Sequence, residues 1–436
     1  MAALSVYRGT FGAAEAERLL WRAGFGPRRG EAKSLAKKGL SGAVHSLTRP
    51  GAEQLVGPDP KDERGNPLAP YDAVGHDHMW WLDRMVRSSN QLVERMTLVW
   101  HDWFATSAVG AGSQRRVLDQ NALLRTHALG SFADMLLDVT KDPAMLVWLS
   151  GIKNTRLAPN ENYARELMEL FTLGAGRGYT ESDVREQARA LTGWRARRAP
   201  GKGPYDFHYE PRLHDSGSKT VFGKPGNYDW QAACRLCLEH KSHPSFFVAK
   251  LWSYFIPTAP SRATQAALEA LYRDKREVRP VVEAILQHSD LYRGPRMVKP
   301  PVVYAAGLLR ALGQGVSTAN WARLGAMSGQ RLFHPPNVAG WDDSRWLDTS
   351  TFRGRWYLAG SALAPLNNSE SAAGLPRKGD KLLERTISFF GNPPVSKETR
   401  GVLTRFADGA LAGASPAVVE NALRQLLAVS PDHQTC

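Results

Sequence analysis

The chain has 436 residues, of which 43% are hydrophobic and 22% are charged, and its net charge is +14. This composition, with 13 Trp residues, supplies enough apolar surface for a packed core, so disorder of the whole chain is excluded. Three Cys residues exclude a disulfide framework, and no run of about 18 apolar residues is present to span a membrane.

The positive charge is spread along the chain rather than gathered into one tail. Its densest cluster lies in one short segment and comprises Arg195, Arg197, Arg198 and Lys202. Such a field favours acidic partners, among them anionic polymers and nucleic acid. The alternative is a high-GC coding bias that enriches Arg and leaves a basic surface without a ligand. No recognised nucleic-acid-binding motif accompanies the charge, so nucleic acid is the least favoured partner.

The beginning of the chain bears on its location. Residues 1–26 lack a basic segment followed by an apolar segment, which is the pattern of a signal peptide. We therefore predict that protein made from this start remains in the cytoplasm. A start codon assigned too far downstream would hide an export signal, and the protein would then be exported.

Helical periodicity dominates the first half of the chain. Residues 14–50 predict two or three short helices, and residues 51–70, rich in Pro, Gly and charge, predict a surface loop. From Tyr71 apolar residues recur at helical spacing. Asp142-Pro143 is a strong helix start, because Pro is favoured in the first turn. The further helices predicted here are 117–129, 131–139, 144–150, 160–173 and 180–194.

The second half continues the pattern around irregular stretches that mix Gly, Pro, aromatic and charged residues, and such long loops are often functional. Helices are predicted over 230–240, 244–256, 264–275, 280–287 and 298–312, with two or three more before residue 427. We predict an all-α, large irregular multi-helix globular fold with little strand and long loops near 51–70, 195–228 and 331–346. The predicted organisation is a main domain over 1–367, a linker over 368–376 and closing helices over 377–436.

Common catalytic templates are absent from the sequence. It has no P-loop, no Gly-x-Ser-x-Gly elbow and no His-Glu-x-x-His helix, so ATPases, serine hydrolases and zincins are disfavoured. Cys234-x-x-Cys237 followed by His240 is half of a metal knuckle, but no second pair completes four ligands. We interpret this segment as a helix with buried Cys residues.

The predicted helix over 160–173 is the most informative segment, with Asn160 as its N-cap and Gly174 as its stop. At about 100° per residue, apolar and aromatic residues fill one side. The other side collects Glu161, Asn162, Arg165, Glu166 and Glu169.

Two interpretations of this charged face stay open. One is a solvated face with ordinary i,i+4 pairs such as Glu161–Arg165. Against it, Glu166 and Glu169 are like charges three residues apart, which is unfavourable unless a cation or basic group lies between them. The other is a face that looks into a cleft, where the carboxylates bind a metal or act as acid and base.

The same segment carries a resemblance to a known family. Its sequence over 160–174 is NENYARELMELFTLG. Further stretches share the resemblance in order along the chain, namely 18–27, 178–184, 188–194, 214–215, 219–220, 243–244, 250–252 and 335–341. Together they resemble the bacterial domain-of-unknown-function 1800 family.

The resemblance implies no activity, because none is assigned to that family. Its members are often exported and often encoded beside proteins similar to the alkaline phosphatase and sulfatase superfamily, which implies work on an extracellular polymer and a phosphatase- or sulfatase-like partner. Export conflicts with the missing signal peptide. Many members have His-x-His before a Phe, whereas this chain has His101-Asp102-Trp103-Phe104, so the second His is absent and a ligand role there loses support.

The irregular stretches hold a second group of candidates. His214 next to Asp215, with Lys219 close behind, suits a ligand, a general base or a phosphate contact. An ordinary Asp-x-Gly turn is the alternative. Residues 336–341 favour loop packing around Trp341, with stacking on a sugar or base as the alternative.

We predict a cleft between these groups, with the catalytic residues Glu161, Arg165, Glu166, Glu169, His214, Asp215 and Lys219. A divalent metal ion is the cofactor that the donor types suit, and its ligands would be Glu166, Glu169, His214 and Asp215. The function hypothesis is a metal-dependent hydrolase or modifying enzyme that acts on a polar or anionic substrate. The alternative is a non-catalytic binding or assembly protein whose basic surface engages an acidic polymer or a protein partner.

Overall fold

The computed structural model describes residues 4–199 and 203–436, so Lys202 and residues 1–3 lie outside the described part. Helices make up 56% of the structure, which confirms the all-α prediction. The helices before the first strand are α1 (Ala13–Ala23), α2 (Glu31–Ala36), α3 (Gly39–Thr48), α4 (His76–Arg87), α5 (Gln91–Trp103), α6 (Ala108–Ala111), α7 (Gln114–Thr126), α8 (Phe132–Thr140), α9 (Pro143–Trp148), α10 (Asn162–Glu166) and α11 (Glu181–Ala190).

Twelve further helices follow the strands within the described residues. They are α12 (Trp230–Glu239), α13 (His243–Ser253), α14 (Arg262–Arg273), α15 (Val278–Leu286), α16 (Ser289–Arg293), α17 (Pro301–Leu312), α18 (Asn320–Met327), α19 (Thr349–Leu363), α20 (Gly379–Phe389), α21 (Lys397–Ala410), α22 (Pro416–Ala428) and α23 (Pro431–Gln434). None of the described helices is both long and apolar enough to cross a membrane.

Side-chain caps set many helix starts. Asp142 accepts the Met145 backbone N–H at 2.9 Å with Pro143 in the first turn, as the sequence predicts. Thr180 and Asp183 form a reciprocal capping box that starts α11. Each cap satisfies backbone donors that have no partner inside the helix.

Two small antiparallel hairpins occupy the segment predicted to be irregular, and in this the prediction is wrong. β1 (Trp194–Ala199) pairs with β2 (Gly203–Tyr209), and β3 (Lys219–Val221) pairs with β4 (Lys224–Gly226). The turn between β3 and β4 has positive φ angles at Phe222 and Gly223, the conformation that suits a two-residue hairpin. The Phe-Gly pair lacks the usual Asn-Gly or Asp-Gly signal.

The chain divides into two compact units. The first comprises the segment up to Val6 together with Met96–His288 and Phe333–Trp341. The second comprises Tyr7–Arg95, Ser289–Leu332 and Asp342–Cys436. The organisation predicted from the sequence, with a linker over 368–376 between a main domain and closing helices, stays a prediction.

The core of the first unit is rich in aromatic rings. Phe132 packs on Phe247 with ring centroids 4.8 Å apart, and Phe247 stacks on Tyr272 at 3.9 Å. Cys234 and Cys237 are fully buried beside this core, as the helix interpretation predicts. Burial raises the pKa of both thiols to about 12, which makes them poor nucleophiles and poor metal ligands.

A buried guanidinium organises part of the second unit. Arg355 of α19 has no exposed surface, and it donates to the carbonyls of Trp346 at 2.9 Å and Lys299 at 2.8 Å and to the Gln434 side chain at 2.9 Å. A charged side chain is stable in the interior only when hydrogen bonds satisfy its polar groups. Arg355 therefore fixes the rotation of α19 about its own axis.

Candidate functional site

The predicted carboxylate helix is present, but only its first half is an α-helix. α10 runs directly into a π-helix over Leu167–Thr172. The predicted N-cap is wrong, because the residue at that position is Glu161, and Asn160 instead accepts the Asn162 N–H at 3.1 Å. Gly174, at a φ of +92°, follows the last turn as predicted.

The π-helix changes which side chains share a face. Its hydrogen bonds reach back five residues, as from the Leu173 N–H to the Met168 carbonyl at 2.8 Å. A rotation of 100° per residue therefore fails after Glu166. Glu169 does not keep the position that α-helical spacing predicts.

Three side chains from other helices contact the carbonyls of the π-helix. Lys250 donates to the Leu170 carbonyl at 3.1 Å, and the Trp103 indole donates to the Phe171 carbonyl at 3.1 Å. His243 lies with Nδ1 2.9 Å from the Thr172 carbonyl oxygen. Carbonyls at a helix end otherwise lack partners, so these donors stabilise an unusual geometry. π-turns of this kind are often found at functional sites.

Arg165 is held by two carboxylates. It forms an ion pair with Glu161 at 3.1 Å, as the i,i+4 spacing predicts, and a bidentate pair with Glu181 of α11 at 2.7 Å. These bonds raise the pKa of Arg165 and lower that of Glu181. The guanidinium joins α10 to α11, and both its partners are more than one-third exposed.

Glu166 and Glu169 form a carboxylate pair of a different kind. Burial and the charge of Glu169 raise the pKa of Glu166, and Arg165 only partly offsets this. The Tyr179 hydroxyl donates a hydrogen bond to Glu169. Burial raises the pKa of Tyr179, and the nearby Glu169 carboxylate adds to this effect. No hydrogen bond or ion pair to Glu166 is found among the described residues. A half-buried carboxyl beside a second carboxylate favours its protonated form.

The loop that holds His214, Asp215 and Lys219 contains the opposite arrangement. Arg189 of α11 donates to Asp215 at 2.7 Å and to Glu186 at 2.9 Å, and it also reaches the Ser218 carbonyl at 3.2 Å. The hydrogen bond from Arg189 lowers the pKa of Asp215. Asp215 is therefore ionised, and one guanidinium pairs with both carboxylates.

The remaining groups of this loop bond to backbone carbonyls. His214 lies with Nδ1 3.1 Å from the Thr192 carbonyl oxygen, and burial lowers the pKa of the imidazole. Lys219 has 1% of its surface exposed and donates to the carbonyls of Asp215 and Gly217. These contacts support the turn interpretation of this stretch.

The two groups of predicted site residues are not joined. No hydrogen bond or ion pair runs between the Glu161–Glu169 segment and the His214–Lys219 loop in the described part of the chain. Over those same residues, no group of three or more His, Cys, Asp or Glu side chains could hold a metal ion. The shared cleft and its metal ligands stay predictions.

A second polar group in this unit was missed from the sequence. The Tyr254 hydroxyl donates to Asp102 at 2.7 Å, and Asp102 also accepts the Trp341 backbone N–H at 2.9 Å. Lys250, one turn before Tyr254 on α13, lies 4.3 Å from the centre of the Trp103 ring. Burial lowers the pKa of Lys250 to about 8. A single Lys in an otherwise apolar helix is the signal that would have found this group.

The His101-Asp102-Trp103-Phe104 motif serves this packing. His101 is buried between the rings of Phe333 and Trp341, each 5.5 Å away, and burial lowers its pKa to about 3. Trp103, at the position where the resemblance implies a second His, contributes the indole donor described above. The loop around Trp341 is packed in this way, as favoured from its sequence.

Comparisons with known proteins agree with the resemblance found in the sequence. No curated protein and no solved structure matches the chain. A family model described as "Protein of unknown function (DUF1800)" matches residues 18–435. Because this match covers nearly the whole chain, the chain belongs to that family.

Proposed function

We propose that the protein is a general acid–base hydrolase of a polar substrate, with Glu166 as the acid and Glu169 as the base. The observation that carries this proposal is the raised pKa of Glu166 beside a second carboxylate. A carboxyl group whose pKa is raised by its surroundings is suited to act as a general acid. The two carboxylates also lie close enough for the charge of Glu169 to act on Glu166, which supports their serving one substrate.

The reaction requires that the leaving oxygen gains a proton and that the attacking water loses one. Glu166 gives its proton to the leaving oxygen of the substrate as the scissile bond breaks. A water molecule attacks the other side of that bond and gives a proton to Glu169. Glycosidic bonds are the class most often cleaved by such a pair of carboxyl groups. The basic character of the chain, at +14, supports a polymer with acidic groups.

The metal-dependent form of the hypothesis has less support from the contacts. Asp215 is bound by Arg189, and His214 has its Nδ1 against Thr192. Glu166 and Glu169 are two carboxylates that no hydrogen bond or ion pair in the described part of the chain links to either of these groups. Two carboxylates alone are a small ligand set for a divalent cation.

The test is the pair of variants Glu166→Gln and Glu169→Gln, assayed for reducing ends released from neutral and acidic polysaccharides. Loss of a positioned acid or base lowers rates by about 10²–10⁴-fold. The rate should fall as pH rises through the pKa of Glu166, since the acid must be protonated. Glu370→Gln, which removes one exposed carboxylate, is the matched control. Equal rates for all three variants and the parent would reject the proposal.

A non-catalytic binding protein is the second candidate. It is favoured by the observation that Arg165, Asp215 and Lys219 all have internal partners. Charged side chains used in this way stabilise the fold and are poorly placed for chemistry. Retained binding of an acidic polymer by a Glu166→Gln variant, with no hydrolysis by the parent, would favour this candidate.

A further inference from the structure

A groove in the second unit lies along α18 and α19. It has a volume of about 630 Å³, and Gln425 of α22 contributes to its wall. The groove belongs wholly to the second unit, whereas the carboxylate pair belongs to the first.

One face of α19 supplies the recognition groups of the groove. Arg353, Trp356, Tyr357 and Gly360 stand at positions i, i+3, i+4 and i+7, which places them on one side of the helix. Trp356 is 41% exposed and Tyr357 is 50% exposed. Large aromatic rings with this much exposure mark binding sites when they line a concave surface.

Positive charge lines the groove without an acidic counterpart. Arg353 is exposed and has no ion pair among the described residues. Arg323 of α18 is also exposed, and its Nε donates to the Asn320 side chain at 2.8 Å, which fixes the guanidinium. No Asp or Glu lines the groove within the part of the chain that the structure describes. An anionic ligand would therefore meet two guanidinium groups without displacing a carboxylate.

The platform beneath these side chains is rigid. A Cβ added at Gly354 would lie 2.5 Å from the carbonyl carbon and oxygen of Met327, so α19 and α18 are in direct backbone contact there. Arg355 anchors the same turn, as described above. At Gly360, by contrast, a Cβ would meet only the Gln425 side chain, at 3.7 Å, so the floor of the groove is open.

We propose that this groove binds an acidic polysaccharide built from uronic acids. A sugar ring would stack on Trp356, and uronate carboxylates would pair with Arg353 and Arg323, because guanidinium matches carboxylate in a bidentate geometry. Nucleic acid is disfavoured, since two cations fall well short of the roughly six to ten phosphate contacts usual for that ligand. This inference deepens the binding alternative above and does not depend on Glu166.

The test measures the affinity of the full chain for a decameric oligogalacturonide by calorimetry at two salt concentrations. Trp356→Ala should weaken binding at least tenfold, and the double variant Arg323→Ala/Arg353→Ala should also flatten the salt dependence. Phe406→Ala and Arg405→Ala, both exposed on α21, are matched controls that should bind like the parent. Glu166→Gln should also bind like the parent, so failure of this inference and failure of the hydrolase proposal give different results.

A further variant tests the groove without removing any of its recognition side chains, in case the variants above do not fold. Gly360→Leu fills the open floor and leaves both aromatic rings and both Arg residues in place, and it should also weaken binding at least tenfold. A neutral glucan of equal length should bind at least tenfold more weakly than the uronide. The inference is overturned by parent-like affinity in Gly360→Leu, by no uronide binding, or by tighter binding of a single-stranded oligonucleotide, which would make the groove a nucleic-acid site.

Discussion

The Glu166–Glu169 pair and the Asp215 loop belong to the same unit, yet their carboxylates have different neighbours. Asp215 shares Arg189 with Glu186, and each charge there has an opposite charge within 3 Å. Glu166 is half-buried beside a second carboxylate, and Arg165 only partly offsets the effect on its pKa. Acidic residues that look equivalent in the sequence therefore divide into a stabilising set and a strained set. The strained set is the better candidate for chemistry.

Removal of Arg189 should have the largest effect on stability. Arg189→Met leaves Asp215 and Glu186 as neighbouring carboxylates without their guanidinium partner, and it removes the donor to the Ser218 carbonyl. We expect the free energy of unfolding to fall by about 2 kcal/mol, because the groups are partly buried. Urea denaturation measures this change. An unchanged midpoint would show that the loop is not held by this ion pair.

Asp215→Asn should be destabilising in a pH-dependent manner. The folded-state pKa of Asp215 is lowered, so its stabilising contribution is present above the ordinary Asp pKa and is lost as pH falls through the folded value. The variant should be about 1 kcal/mol less stable than the parent at neutral pH. The difference should vanish in acid. Unfolding curves across this pH range measure it.

Glu166→Gln should change stability in the opposite direction. The folded-state pKa of Glu166 is raised, so the ionised parent is destabilised as pH rises through that value. The variant should therefore be more stable than the parent at neutral pH, by up to about 1 kcal/mol, and equal to it in acid. If Glu166→Gln and Asp215→Asn shift stability in the same direction, the contrast between the two regions fails.

Glu181→Gln should have the smallest effect. Glu181 is exposed, and its pair with Arg165 is screened by water. Glu161 stays available to Arg165 in the variant. We expect unfolding curves that overlay those of the parent, including at high salt. A clear loss of stability would show that this exposed pair stabilises the fold as the Arg189–Asp215 pair does, which contradicts the prediction.

Local signals in the sequence account for what could be predicted. The helix starts at Asp142 and Thr180 follow from their own side chains and the residues just after them. The Glu161–Arg165 pair follows from i,i+4 spacing. These interactions span only a few residues, so a single sequence contains the information that they need.

The π-helix and the Asp102 group depend on distant parts of the chain. Nothing within Leu167–Thr172 distinguishes a π-turn from an α-turn, since the deciding donors are Trp103, His243 and Lys250. The link between Asp102 and Tyr254 spans 152 residues, and no periodicity reveals such a pairing.

The π-helix has a consequence for the order of folding. Its three carbonyl donors lie 68, 71 and 80 residues away in the chain. Without these donors, the helical turns of the segment would favour α over π spacing, because the π-helix is rare. Closing loops of this length costs entropy before the contacts repay it, so the π-turn should form late. Glu166 and Glu169 would then reach their native positions only after the surrounding helices have docked. Partly folded chains would therefore lack any reactivity that depends on the pair.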